Sequence, residues 1–568
     1  MSRAQRRTKV GQGAACALVS ACCVLLSQPV GAQAVPQIPA AADPGVIQER
    51  SRDIERRLRE ERERRPDDTP TIDDDALKPA PVKPAAGARF MLRRIDFTRS
   101  ELLEEATLRG LAAGLEGREV TLGEVQDLVD RINALYRDRG VPTAQAVLPA
   151  QEVADGAITI KLVEGRVGKV VMSGNDSTSE AFIRERLGQK PGDLADVAAL
   201  ERSMMRFNRT QDVQLRAELK PGAKFGETDF ALSVKEPPKH EMRLFADSSG
   251  SQATGVYRVG AFYQNRSLLG FRDALGVTLV GADGHEGRAI SYSFPLGTLG
   301  TRLTLSWFND HTRIIDGPFR PLRIRGESTA WTALLRHPVL IGSNYQLDLL
   351  GGAKTRKTES WISGRLFQST DIDDLSLGVD GQWWEKDRIW TGSLTYSNGK
   401  ADPIDDIVST SFSIWRGSLR RVQDLSDGWS VQSNLAFQYT RDENLTSSEQ
   451  FLIGGDNSVR GYQTGLFSGD KGLAASVELH HPLPQPPVAP VAPVRTAGFL
   501  FLDYGATQPF RPIGSTRGTD TLASYGWGVN ANINDRVSAR LTLGLPIRDR
   551  EQDPRNYYVH FQIVAQLF

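Results

Sequence analysis

What limits the folds open to this chain is a change of pattern at His240 that persists to Phe568. From there, segments of about ten residues alternate apolar with polar side chains and are separated by Gly, Asn, Asp and Pro, as strands with one apolar and one polar face do. The alternation predicts strands at 240–249, 255–265, 273–282, 288–295, 301–310, 326–337, 344–355 and 373–385. It predicts others at 388–398, 409–421, 428–440, 471–481, 497–508, 522–533, 536–547 and 557–568. That makes sixteen, the even number a single-chain bacterial barrel requires. A β-sandwich, the soluble alternative, has no need of so many. In the last segment Tyr557, Val559, Phe561, Ile563, Ala565 and Leu567 form a lipid face, with His560, Gln562 and Gln566 opposite; Phe568 has the parity of the glutamines.

The first 34 residues read as a secretory signal peptide, with Arg3, Arg6, Arg7 and Lys9, an apolar run from Ala14 to Leu26, and the small-x-small site Ala32-Gln33-Ala34. The run is too short for a spanning helix. A lipoprotein signal at Val19-Ser20-Ala21-Cys22 is the alternative, but it leaves Val24 to Leu26 outside the leader. No later apolar run reaches about 18 residues, which excludes spanning helices but not spanning strands. All three cysteines, Cys16, Cys22 and Cys23, lie in the leader, so the mature chain has no thiol chemistry, disulfide or Cys metal site. Without the four leader cations, 65 of the 69 basic residues face 69 acidic ones, a balance of −4 that suggests no nucleic-acid partner.

Within residues 35–65, Val46 to Arg65 is a helix former dense in Glu/Arg spacings of three and four, with a thin apolar stripe of Val46, Ile47, Ile54 and Leu58. Such a stripe suits a solvated helix or one lodged in a polar lumen. Residues 66–88 are rich in Pro, Asp and Ala and predict an extended linker without a core. At roughly 3.3 Å per residue this linker reaches on the order of 70 Å, more than a bilayer's thickness. Two β-α-α-β-β modules follow, at 89–165 and 166–238. In the first, Thr121-Leu-Gly-Glu124 is a capping box that opens a helix through Val125, Leu128, Val129, Ile132 and Leu135.

The loop between the eleventh and twelfth predicted strands, about 30 residues long, begins outside the membrane and carries Val459-Arg460-Gly461-Tyr462 behind Gly454-Gly455. Taken alone, that tetrapeptide fits an exposed loop arginine. Two strands on, Phe499-Leu-Phe501-Leu-Asp503-Tyr-Gly505 places a carboxylate in a strand. A charge facing lipid at the midplane costs about 2 to 4 kcal/mol, so Asp503 should face the lumen, with Leu500, Leu502 and Tyr504 toward lipid. Gly505, on the same inner face, leaves space beside the anion. A guanidinium from the Arg460 loop can pair with it bidentately, and a neighbouring wall arginine is the alternative partner. Asp371-Ile-Asp-Asp374 lacks the Gly turn and closing Glu of a calcium loop and reads as a solvated strand start. No nucleotide-binding loop or zinc spacing occurs, so the sequence predicts no enzyme activity, metal or cofactor.

This order of segments resembles the outer-membrane transporters of two-partner secretion, the TpsB or FhaC/ShlB/HecB family, which share a superfamily with BamA. The resemblance spans essentially the whole mature chain. Val459-Arg460-Gly461-Tyr462 matches the superfamily's loop-six tip, and Phe501-Leu-Asp503-Tyr-Gly505 matches its Phe-x-Asp-x-Gly strand motif. It implies a sixteen-stranded antiparallel barrel at 239–568 in the bacterial outer membrane, a plug helix including Ile47, Ile54 and Leu58, and two periplasmic POTRA domains. It also implies a monomer contacting outer-membrane lipid, with porin activity. Its partner would be a secreted TpsA-type exoprotein, an adhesin or haemolysin, recognised through an N-terminal secretion domain and exported without ATP. A BamA-like factor that inserts other barrels is the alternative. Pro482 to Pro493 departs from the family as an unusually long, proline-rich periplasmic turn.

Overall fold

The computed structural model describes residues 43–49, 71–74, 89–141, 143–403, 411–484, 494–509, 518–534, 536–548 and 553–568. The leader, Ile54 and Leu58, and the centre of the proline-rich turn lie outside the described residues. The chain is first described in a helical turn at 44–49 (α1) and then in strand β1, Thr71–Asp73. Asp43 caps α1, its Oδ1 accepting from the Gly45 amide at 2.8 Å and the Val46 amide at 3.2 Å. The helix thus starts before Val46, at an Asp-Pro pair that joins a good N-cap to a ring suited to the first helical position.

The first module comprises β2 (Phe90–Leu92), β3 (Arg94–Phe97), α2 (Glu105–Ala112), β4 (Arg118–Val120), α3 (Leu122–Asp138), β5 (Gln145–Val147) and β6 (Ala157–Val163). Thr121 and Glu124 close the capping box on α3, and Val125, Leu128, Val129, Ile132 and Tyr136 are its buried stripe. That stripe packs against Ile95, Ile158 and Ile160 of the sheet β3-β6-β5. The second module comprises β7 (Arg166–Ser173), α4 (Glu180–Leu187), α5 (Val197–Thr210), β8 (Gln214–Pro221) and β9 (Glu227–Lys235). Its sheet has a fourth strand, because β1 pairs parallel with β8 and Ile72 packs on the module's core. Part of the expected coreless linker therefore belongs to a folded sheet. Thr-Ile-Asp has no local signal for this, and the pairing is tertiary.

The remaining strands are β10 (His240–Asp247), β11 (Arg258–Asn265), β12 (Ala274–Ala282), β13 (His285–Leu296), β14 (Thr301–Arg313), β15 (Arg325–Ile341), β16 (Tyr345–Ile362) and β17 (Arg365–Trp384). They continue as β18 (Arg388–Pro403), β19 (Ser411–Asp424), β20 (Ser430–Thr440), a small hairpin of β21 (Phe451–Ile453) and β22 (Phe467–Gly469), and β23 (Lys471–Pro482). The chain ends with β24 (Val494–Gln508), β25 (Asp520–Ile533), β26 (Val537–Pro546) and β27 (Tyr558–Gln566). All but the β21-β22 hairpin form one closed antiparallel barrel of 16 strands, sealed by β10 against β27. Its outer face shows Leu244, Trp331, Leu377, Leu500, Leu502 and Ile563 exposed, as a lipid-facing wall must. No described helix is long and apolar enough to cross a membrane.

The alternation located every barrel strand but underestimated the tall hairpins. β17 starts at Arg365, so Asp371 lies inside the strand and not at its start; Ile372 is buried and Asp374 pairs with Lys354 at 2.7 Å. Where strands rise beyond the hydrocarbon, both faces are polar and the period-two signal fades. At the opposite rim, the second module is clamped to the barrel's turns. Arg272, fully buried in the β11–β12 turn, donates to Asp212 at 2.8 Å and Ser177 at 3.2 Å. Arg302 donates to Gln211 at 3.1 Å, and Arg209 lies 4.3 Å over the Trp384 ring.

Candidate functional site

The site is built where the loop between β20 and β23 turns inward. It starts outside, folds into the β21-β22 hairpin, and carries Val459-Arg460-Gly461-Tyr462 into the barrel, where Val459, Arg460 and Tyr462 are all buried. An apolar patch of Ile453, Val459, Tyr462 and Leu522 removes water around the arginine. Tyr462 Oη lies 2.9 Å from the Arg548 carbonyl and 3.1 Å from the Ala523 carbonyl, so the tip is fixed to β25 and to the chain beyond β26.

Pairing between wall strands creates the receptor for Arg460. The β23–β24 register sets Ser476 opposite Asp503 and Glu478 opposite Phe501, all on the inner face. Arg460 donates from Nε to Asp503 Oδ2 at 2.8 Å and from Nη2 to Asp503 Oδ1 at 2.6 Å, a bidentate fork. Its backbone amide adds a third bond to the same carboxylate at 3.1 Å. Nη1 donates to Glu478, Nη2 also reaches Ser476 Oγ at 3.0 Å, and the guanidinium lies 3.6 Å over the Phe501 ring. Its carbonyl is 2.9 Å from His560 Nε2. Gly505 and Gly544 allow the close approach: a Cβ on Gly505 would fall 2.8 Å from Val459 Cγ2, and one on Gly544 would fall 2.4 Å from the Arg460 carbonyl oxygen. Gly461 lies against Ser524 and Pro546.

Phe501, Asp503 and Gly505 therefore meet the Arg460 tip, and the contact the alternation suggested is made by the loop arginine. Sequence reasoning missed Glu478, Arg540, His480 and His560. Glu478 accepts from Arg540 at 2.7 Å and is 2.8 Å from His480 Nε2, which balances the second carboxylate beside Arg460. The inward parity of Ser476, Glu478 and His480 was the available signal.

A second ionic cluster lies elsewhere in the lumen. Val46, Ile47 and Gln48 of α1 are buried against the wall, and Gln48 bonds Ser328 at 2.9 and 3.0 Å. Arg356, fully buried on β16, donates to the Gly45 carbonyl at 3.3 Å, to Glu49 at 3.0 Å and to Glu449 at 2.6 Å. Glu449 belongs to the base of the inward loop and also takes Lys354 at 2.9 Å and Arg416 at 2.8 Å. One wall arginine is thus shared by α1 and the loop. Among the described residues no group of His, Cys, Asp and Glu is arranged to hold a metal.

Both occupants of this pore are held by side-chain ion pairs, so the wall does not have to unfold for them to move, as suits a channel for polypeptides across the outer membrane. The chain belongs to the haemolysin secretion/activation protein family ShlB/FhaC/HecB, whose pattern matches residues 226–531, and residues 90–165 match the ShlB-type POTRA domain. It is an outer-membrane transporter of two-partner secretion, with its POTRA domains in the periplasm. It is 25% identical over 452 residues to the heme/hemopexin transporter protein HuxB of Haemophilus influenzae, covering 76% of this chain and 79% of that protein. It is 24% identical over 482 residues to the outer membrane transporter CdiB of Dickeya dadantii, covering 81% and 83%. CdiB from Escherichia coli has a similar fold, with a TM-score of 0.68 and 20% identity over 94% of this chain and all of that one. BamA from Haemophilus ducreyi lacking POTRA domains 1-3 is more distant, at 0.51 and 16% over 84% of this chain.

Proposed function

We propose that the Arg460 tip, with Val459, Gly461 and Tyr462, is the latch that holds loop six inside the pore against Phe501, Asp503 and Gly505, and that secretion depends on it. The observation that carries this is a buried arginine spending its fork on one wall carboxylate and a further N–H on a second. Its client is a TpsA-type exoprotein that presents an N-terminal secretion domain to the POTRA modules at 89–165 and 166–238. An unfolded polypeptide can add to exposed strand edges there, since main-chain bonding is indifferent to most of its sequence. The chain acts as a monomer in outer-membrane lipid, without cofactor or catalysis, and the client's folding outside opposes its return.

We take α1 as part of the plug, supported by Ile47, which is buried and shares a small cavity with Ser251, Arg258 and His285 of the barrel. The decisive experiment is Arg460→Ala, alone and with Asp503→Ala, scored by release of the co-expressed exoprotein into the medium. Unimpaired export by the single variant refutes the latch. Removing residues 46–65 should raise ion conductance in planar bilayers, and unchanged conductance refutes the plug.

A further inference from the structure

The rim opposite the POTRA clamps carries a run of arginines with few carboxylates. Residues 313–325, from the end of β14 through its loop to the start of β15, hold Arg313, Arg320, Arg323 and Arg325 against a single carboxylate, Asp316. Arg365 joins them, because the β16–β17 turn is tied to that loop by Ser363, whose amide donates to the Leu322 carbonyl at 3.1 Å. All five arginines are exposed, and among the described residues none of them is ion-paired. The loop has a core of its own. Ile314 and Ile324 are buried together, Phe319, Ile362 and Ala253 pack on them, and the Ile314 amide donates to the Ile324 carbonyl at 3.1 Å.

Position decides what these cations can meet. Arg313 and Arg325 are register partners, exposed on the same outward face as Leu305 and Trp331, away from the lumen through which a client passes. Like charges directly opposite one another in a sheet repel, so this pair favours an anion between its members. Trp307 and Trp331, also register partners and 6.4 Å apart, mark the aromatic girdle of the lipid-facing wall. Arg313 and Arg325 come six residues farther along the two strands, about 20 Å up the strand and about 15 Å up the membrane normal at a barrel's tilt. A phospholipid headgroup layer is only about 5 to 8 Å deep, so the arginines stand at the level of a larger headgroup. Below them carboxylates return: Glu286 lies 3.5 Å from Arg288, and Glu327 lies 3.6 Å from His311. The excess of positive charge is thus confined to the rim.

The wall beneath has room for the tail of such a lipid. A shallow groove of about 660 Å³ crosses β10 to β13 and β27, lined by Ala246, Val259, Ala261, Gly281 and Ile563 and reaching Arg288. A Cβ on Gly281 would meet nothing within 4 Å. Arg313 links the groove to the rim, since its Nη2 donates to the Asp283 carbonyl at 3.3 Å, in the turn just beyond Gly281.

We propose that this outer face binds a phosphorylated glycolipid of the outer leaflet. Arg313 and Arg325, with Arg320, Arg323 and Arg365 around them, hold its phosphates, and one acyl chain lies in the groove. A guanidinium fork matches two phosphate oxygens, and one phosphate between Arg313 and Arg325 replaces their repulsion with two attractions.

The test uses the full mature chain in detergent, with EDTA present so that no divalent cation bridges phosphates, and fluorescent lipopolysaccharide as the probe. The wild type should bind it at least tenfold more tightly than the same lipid stripped of its phosphates. Combining Arg313→Ser, Arg320→Ser, Arg323→Ser and Arg325→Ser should abolish that preference. No preference in the wild type, or one kept by the variant, overturns the phosphate site. Gly281→Trp, which fills the groove, should weaken binding at least threefold and leave the phosphate preference intact; unchanged affinity overturns the acyl-chain seat. Competition separates the sources of the anion. Inorganic phosphate, phosphatidylglycerol and polyglutamate should each displace the probe at least tenfold less effectively than unlabelled lipopolysaccharide. An equal competitor overturns the glycolipid in favour of a free anion, any acidic lipid or an acidic client segment, respectively. Every substituted side chain lies outside the Arg460 latch, and migration of the unheated barrel in gels controls for folding.

Discussion

Two arginines hold the contents of this pore, in different ways. Arg460 is carried by the inward loop, and its partners Asp503, Glu478 and Ser476 all belong to the barrel wall. Arg356 is part of the wall, and its partners Glu449 and Glu49 belong to two separate segments inside the barrel, the inward loop and α1. The first arrangement fixes one segment with one multiply bonded side chain. The second makes each occupant's hold on the wall depend on a cation that the other also uses. Loss of α1 removes Glu49 and the Gly45 carbonyl from Arg356, leaving Glu449 as that arginine's carboxylate partner.

The largest effect should come from Arg460→Ala. It strands Asp503 in the wall, and breaking one side of a buried ion pair costs about 3 to 5 kcal/mol. The expected outcome is at least a tenfold loss of exoprotein release and new protease cleavage in loop six. A variant that stays protected and active would break the distinction between the clusters. Next in size is Glu449→Ala, which leaves Arg356 and Lys354 close together in the lining; about 2 to 4 kcal/mol is expected from the urea midpoint in lipid vesicles, with raised conductance. Conductance equal to the wild type would mean that the cluster does not restrain the plug.

Arg460→Lys sharpens the comparison at smaller scale. It keeps the charge but loses the fork and the planar stacking on Phe501, so about 1 to 3 kcal/mol and partial secretion are expected. Full activity would show that charge alone suffices. Smallest is the coupling between Arg460→Ala and Arg356→Ala. If the clusters hold independent segments, a double-mutant cycle should give less than about 0.5 kcal/mol. A stronger coupling would show that loop six transmits between them.

The barrel was legible because a wall with lipid on one side and a polar lumen on the other imposes period two on every strand that crosses it. Asp503 was legible for the same reason: a carboxylate cannot face hydrocarbon, so its parity assigns its side. Glu478, Arg540 and His560 have inward parity too, but parity does not say which residues of different strands stand level. Their meeting depends on register across β23, β24, β26 and β27, which is set by hydrogen bonding between segments distant in sequence. Glu449 was hidden differently, since its base-of-loop position places no constraint on the wall residue it meets.

The strand number, the lumen side of Asp503, the capping of the first module's long helix and the thin stripe that begins at Val46 are all properties of the residue order. Each follows from a local period or a local hydrogen-bonding rule. Three contacts arise only in the folded molecule: Arg460 reaching Asp503 and Glu478 together, Arg356 shared by loop six and α1, and Thr71–Asp73 completing the sheet of the second module. They join residues from 18 to about 300 positions apart, and their energies exist only once barrel closure, or for Thr71–Asp73 the folding of the second module, has fixed the distances between them.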